Sequence, residues 1–275
     1  MSYKDLQVYV GNDASCTKRL HVAADMAARL NAHLTGVFSR PELHLPSYFA
    51  TSHTVWLSSV EADYKKQIDA AEHEARQLFD EASSQYQVDT TWRAATGDIY
   101  ASLTKEAGYA DLLVLGQADP KDVTNRQDLT DHIVMTTGRP CLVVPYIGAH
   151  ENVGKHPLVA WNGTKESNRA LHDALPLLER AETVTIMLAE SDEGNDLPDT
   201  RIAQHLARHD VQVMTKTLRA KKRDISNTFL SYLADNDHDL LVMGAYGHSK
   251  LREVVLGGMT REIMQQMTVP VLMSH

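Results

Sequence analysis

Two cysteines, Cys16 and Cys141, are all that the 275 residues contain. They are distant in sequence and fit no Cys-x-x-Cys or zinc spacing, which excludes a disulfide scaffold and a zinc ribbon. Cys141 opens the apolar run Cys-Leu-Val-Val and reads as a small core residue. Cys16 falls at an expected helix N-terminus, where a thiolate would be stabilised. No apolar run approaches membrane-spanning length. The opening MSYKDLQVYVG lacks a signal-peptide core, so the reading is a cytoplasmic protein without a membrane partner. The net charge of −9 argues against a broad nucleic-acid surface. The one basic run, Arg219-Ala-Lys-Lys-Arg223, reads as a solvated loop before a helix. The 14 histidines are scattered. His205 and His209 share a helical face, but no acidic or cysteine partner stands at motif spacing, so no metal site is expected. G-x-S-x-G and the P-loop G-x4-G-K-[S/T] are both missing, and no nucleophile, base and orienter fall together.

What is present is a unit written twice. Asp111-Leu-Leu-Val-Leu-Gly116 echoes Asp239-Leu-Leu-Val-Met-Gly244, and Arg139-Pro-Cys-Leu-Val-Val echoes Val269-Pro-Val-Leu-Met-Ser. The starts match as well: Val8-Tyr-Val-Gly-Asn-Asp13-Ala-Ser resembles Leu158-Val-Ala-Trp-Asn162-Gly-Thr. Repetition over so long a span means two domains, not a solenoid. Each unit alternates apolar strand runs with amphipathic helices. Strands are expected near 6–11, 33–38, 89–95, 111–116 and 141–145, then near 157–161, 183–190, 211–218, 240–245 and 270–274. Helices are expected near 16–31, 57–86, 98–108 and 127–137, then near 166–180, 198–209, 225–235 and 259–267. Asp98 and Asp224 are suited to N-caps. The domains are taken as 1–147 and 156–275, joined by a linker punctuated by Gly148, Gly154 and Pro157. This pattern predicts an α/β chain of two tandem doubly wound domains, each a five-stranded, mostly parallel sheet flanked by helices. Ligands of such sheets sit beyond the strand carboxyl ends at the topological switch point, the turns after strands one and four.

In the second unit the turn after strand four carries Gly244, Gly247, Gly257 and Gly258, spaced G-x2-G-x9-G-G. Glycines at a strand exit admit a ligand close to the backbone. A glycine pair opening a helix presents unpaired N–H groups and a positive dipole end, which favours phosphate. The cluster reads as a phosphate cradle. The first unit has no glycine between Gly116 and Gly138, and Asp119 and Asp122 put negative charge where a phosphate would lie. The segment 40–54, with Pro41, Pro46, Tyr48 and Phe49, reads as a surface loop.

On these residues the chain resembles the universal stress protein family in its tandem form. Gly244-x2-Gly247-x9-Gly257 is similar to that family's ATP-binding G-x2-G-x9-G-[S/T] pattern. Asp13-Ala-Ser, Asn162-Gly-Thr and Gly138-Arg-Pro-Cys-Leu-Val-Val-Pro support it. The resemblance implies a Rossmann-like fold whose halves pair through their last strands as a pseudo-dimer. It implies ATP or another adenine nucleotide as cofactor, with or without magnesium. Met243, Gly244, Gly247 and the backbone at His248 would line ribose and phosphates. Gly257, Gly258 and Met259 would offer amides to the phosphate tail. Ala160, Trp161 and Asn162 would border adenine and ribose, with Leu188 and Ala189 at the adenine edge. The sequence departs twice from the family. Gly258 stands where a hydroxyl is usual, with Thr260 two residues on as a partial substitute. Asn162 replaces an acid and brings no charge to a metal. The expected function is a stress-response sensor or regulator that binds an adenine nucleotide in its second domain. At most it is a weak ATPase, for which no general base can be named, and a second copy or a regulatory protein would be its partner. The alternative is an interaction scaffold of the same fold that binds no nucleotide.

Overall fold

The computed structural model describes residues 2–43, 54–122, 128–148, 150–190, 201–219, 225–246 and 258–275. The first half runs β1 (Asp5–Val10), α1 (Cys16–Leu30), β2 (His33–Arg40), α2 (Thr54–Tyr86), β3 (Thr90–Thr96), α3 (Ile99–Ala107), β4 (Leu112–Gly116), α4 (Leu129–Thr136) and β5 (Cys141–Val144). The second runs β6 (Pro157–Trp161), α5 (Lys165–Leu178), β7 (Val184–Glu190), α6 (Arg201–Ala207), β8 (Val213–Arg219), α7 (Ile225–Asp235), β9 (Leu240–Gly244), α8 (Gly258–Gln266) and β10 (Val271–Ser274).

Strand order is β3-β2-β1-β4-β5-β10-β9-β6-β7-β8, a single ten-stranded sheet. Within each half the pairs are parallel, because every crossover carries a helix over the sheet. β5 and β10 pair antiparallel, with Leu142 opposite Leu272, so the last strands join the halves. The carboxyl ends of the two sets of strands consequently lie at opposite edges of the sheet. The central strands β4, β5, β9 and β10 are almost wholly buried, which is why each is a continuous apolar run. The apolar core is shared: one cluster holds Val8 and Leu30 from the first half with Leu171 and Leu178 from the second. Polar contacts add to it. The Tyr3 hydroxyl donates to the Asp173 carbonyl, and Arg180 donates to the Arg29 carbonyl.

The echoed aspartates have one structural job. Asp111 accepts from the amides of Lys4 (2.7 Å) and Asp5 (3.1 Å). Asp239 accepts from Gly154 (3.1 Å), Lys155 (2.8 Å) and His156 (3.1 Å). Each carboxylate stands just before the fourth strand of its half and clasps the chain entering the first strand. Asp98 caps α3 by accepting from the Ala101 amide at 2.9 Å, as its position suggests. Asp224, the other expected cap, lies outside the described residues. Gly148 and Gly154 turn the linker with φ of 79° and 95°.

Candidate nucleotide crevice

Two places lie at switch points: the exits of β1 and β4, and the exits of β6 and β9. Strand register fixes which residues correspond. Val8 pairs with Val114 and Val159 with Val242, and Val114 and Val242 hold the same place in the repeated Asp-Leu-Leu-Val motif. Val8 therefore matches Val159. Counting on, Gly11 matches Asn162, Asp13 matches Thr164 and Arg19 matches Ala170. The burial of α1 and α5 agrees, since Cys16, Arg19, Leu20 and Ala23 are buried where Ser167, Ala170, Leu171 and Ala174 are. This corrects the pairing of Asp13 with Asn162 that the sequence invites. The turn 11–15 is longer than the turn 162–164. The similar Asp-Ala-Ser and Asn-Gly-Thr strings thus sit at different heights above their strands.

The first crevice is filled by its own side chains. Arg19 and Asp13 form an ion pair at 2.8 Å, with side chains only 2% and 9% exposed. Arg19 also donates from Nε to the Tyr9 carbonyl at 2.8 Å, and its guanidinium lies 5.5 Å from the Tyr9 ring centroid. The Ser15 hydroxyl donates to Asp13 at 2.6 Å. Burial works to raise the Asp13 carboxyl, but the Arg19 charge and the bonds from Arg19 and Ser15 hold it below the ordinary range. Asp122 reaches across to the Ala14 amide at 3.4 Å. Cys16 does open α1, and burial pushes its thiol upward, away from a thiolate. Cys141 is buried as expected, its thiol pushed up to about 12.

At the second crevice a methyl group, Ala170, stands where Arg19 stands in the first. Asn162 and Gly163 are exposed on the turn after β6, with Gly163 at φ 72°. Thr164 caps α5 by accepting from the Ser167 amide at 3.3 Å, and its hydroxyl donates to Asn162 Oδ1 at 2.9 Å. Gly244 ends β9 against the start of α5, where a Cβ would come within 2.5 Å of the Glu166 carbonyl carbon and the Ser167 nitrogen. The sequence pattern signals this glycine, but the structure gives it a packing duty. Gly258 opens α8, is exposed, and a Cβ there would meet nothing within 4 Å among the described residues. Met259 is half-buried and Met243 buried. Ala160 and Trp161 are half-buried at the end of β6. Thr260 is buried, and its hydroxyl accepts from the Tyr246 amide at 3.3 Å. That bond turns the hydroxyl toward the loop backbone. Ala189 lies in β7, in register with Leu218. Gly247, His248 and Gly257 lie outside the described residues, as do most of segment 40–54 and of the basic run after Arg219.

Three residues at these places escape sequence reasoning. Arg19 is one, although its spacing with Cys16, Leu20 and Ala23 put it on the core face of α1. Glu166 is another. It is buried beside Gly244, and despite burial its own backbone amide, Lys165 (Nζ 3.4 Å away) and Thr164 keep its carboxyl below its usual range. The third is Tyr246, at φ 58° and bonded through its hydroxyl to Asp131 Oδ1 at 2.8 Å in the other half. Its left-handed backbone left no mark in the sequence.

Nothing among the described residues gathers three metal-ligating side chains, and no described helix is long and apolar enough to cross a membrane. Residues 155–275 match the model of the universal stress protein family. A universal stress protein of Synechocystis sp. is 25% identical over 195 residues, 64% of this chain and 62% of that one. The alignment thus spans under two thirds of that relative. Among solved structures, a universal stress protein from Archaeoglobus fulgidus DSM 4304 has a TM-score of 0.70 at 14% identity, covering 98% of this chain and 95% of the other. A Pseudomonas aeruginosa PAO1 protein described as functionally unknown has a TM-score of 0.60 at 11% identity, over 99% and 92% of the two chains. These likenesses show the fold across both halves.

Proposed function

Starting from a chain whose residues 155–275 match the model of the universal stress protein family, we propose that it binds ATP or another adenine nucleotide at the second crevice and acts as a stress-response sensor or regulator. The observation that supports this is the asymmetry of the crevices: Arg19 and Asp13 occupy the first, whereas Ala170, exposed Gly163 and exposed Gly258 leave backbone within a ligand's reach at the second. These residues fit a nucleotide. The N-terminus of α8 has the polarity for phosphate, and the described residues leave room for it at Gly258. Ala160, Trp161 and Asn162 would flank base and sugar, Ala189 the base edge, and the glycines of the loop the phosphates. The nucleotide's own phosphates would carry any magnesium, since Asn162 supplies an amide where a carboxylate would hold the ion. Regulation would run through a protein partner or a second copy in the cytoplasm.

Gly258→Asp tests the site without testing the fold. Its Cβ meets nothing among the described residues, and a carboxylate suits a helix N-terminus, so stability should hold or rise slightly. The same charge should repel phosphate. Calorimetric titration of ATP should give saturable heat with the natural chain and none with the variant. Equal binding by both would remove the site. A second reading, an interaction scaffold without nucleotide, is favoured by the start of α5, whose Glu166 backbone and Cβ pack directly against Gly244. It predicts no thermal shift at millimolar ATP.

A further inference from the structure

Tyr246 occupies a conformation that tyrosine seldom adopts, φ 58°, on the turn leaving β9. Two bonds fix it there. Its amide donates to Thr260 Oγ1 on α8 at 3.3 Å, and its hydroxyl donates to Asp131 Oδ1 on α4 at 2.8 Å. Both Tyr246 and Asp131 are half-buried, and the side chain packs against the apolar cluster that also holds Ile133, Met264 and Met273. Asp131 belongs to the first half, Tyr246 to the turn that follows the fourth strand of the second. The same seam carries a second crossing bond, from Gln117 Nε2 to the Met264 carbonyl at 2.8 Å. Gln117 is buried and also accepts from the Tyr146 amide at 3.2 Å. The first half therefore grips both the β9 exit and the helix behind it.

We infer that Asp131 and Tyr246 are positioning residues through which the first half fixes the backbone at the β9 exit, Ala245 and Tyr246, and with it the second half's affinity for adenine nucleotide. This rests on the proposed site. Released from Asp131, the tyrosine backbone relaxes toward right-handed or extended conformations, and Ala245, Tyr246 and Thr260 lose their arrangement. The half whose own crevice is filled keeps a role as a lever on the other.

The test uses the full chain in four variants, Tyr246→Phe, Asp131→Ala, Asp131→Asn and the double Tyr246→Phe with Asp131→Ala, titrated with ATP and followed by amide hydrogen exchange without nucleotide. Tyr246→Phe and Asp131→Ala should each weaken binding by about fivefold or more, the loss expected for one hydrogen bond. The double should be no worse than either single. Asp131→Asn, whose carboxamide oxygen still accepts, should stay within about twofold of the natural chain. Asp131→Ala should speed exchange at the Tyr246 amide. Affinities unchanged in both singles, effects that add in the double, or exchange at Tyr246 that does not move would each overturn the inference while leaving the site intact. Absence of saturable heat from the natural chain would instead overturn the site.

Discussion

Arg19 fills the space that a side chain at Gly116 would need: a Cβ on Gly116 would lie 2.2 Å from Arg19 Nη1. The glycine and the buried arginine are two parts of one arrangement, with Asp13 as the third. Arg19→Ala should destabilise the chain by about 3–5 kcal/mol, because it strands a buried carboxylate. Replacing both partners, Asp13→Asn with Arg19→Met, should recover much of that loss. Urea unfolding midpoints of the three proteins would check this. The pH dependence has a definite sign. The folded Asp13 carboxyl lies below its ordinary value of 3.8, so the pair stabilises above that value and its contribution is lost as pH falls through the lower folded one. The double variant should show a shallower acid limb.

Gly244 and Gly258 belong to one motif and should respond oppositely to alanine. At Gly244 the new Cβ meets backbone 2.5 Å away, which cannot swing aside. Overpacking of about 1–3 kcal/mol is expected there. At Gly258 the Cβ meets nothing among the described residues, and alanine in place of glycine in a helix should stabilise by up to about 1 kcal/mol. Thermal melts of the two variants would separate packing from ligand duty within the motif.

Asp239→Ala should be costlier than Asp111→Ala. The first removes the acceptor for the amides of Gly154, Lys155 and His156, the second for those of Lys4 and Asp5. Each stranded donor is worth about 1–3 kcal/mol where water cannot reach it, and less at these partly exposed ends. Chemical denaturation of both variants gives the order. A larger loss at Asp111 would contradict the count of bonds.

His205 should make stability fall in mild acid. Its ring lies 5.2 Å from that of His172 and 4.9 Å from that of His209. Burial chiefly, then the neighbouring His172, His209 and Arg208, lower its proton affinity below the ordinary 6.5. The unfolded chain thus takes up the proton first, and stability declines as pH drops below about 6.5. In His205→Gln the slope between pH 7 and 5 should flatten, as read by melting temperature across that range.

The alternation of strands and helices was legible because it depends on local periodicity. Leu112–Gly116 and Leu240–Gly244 are uninterrupted apolar runs, and the structure makes both central strands. The α3 cap at Asp98 was legible for the same reason, since donor and acceptor are three residues apart. Pairing of the last strands followed only from family likeness, because nothing local in Cys141–Val144 names Val271–Ser274 as its neighbour. The longer turn before α1 was hidden by the similarity of Asp-Ala-Ser to Asn-Gly-Thr, which pulled two strings into alignment across different backbone heights. The tether from Tyr246 to Asp131 spans separate halves, and no pattern in either segment announces it.

The antiparallel seam at Leu142 and Leu272 has a consequence for what substitutions can achieve. In an assembly of two identical chains joined by such a seam, every change is made in duplicate, and plugging one crevice plugs both. Here the partners are written once each in one chain, so arginine at position 19 and alanine at position 170 can coexist across the same sheet. Covalent pairing permits division of labour between the halves, and a guanidinium on one side leaves the other free to keep a different chemistry.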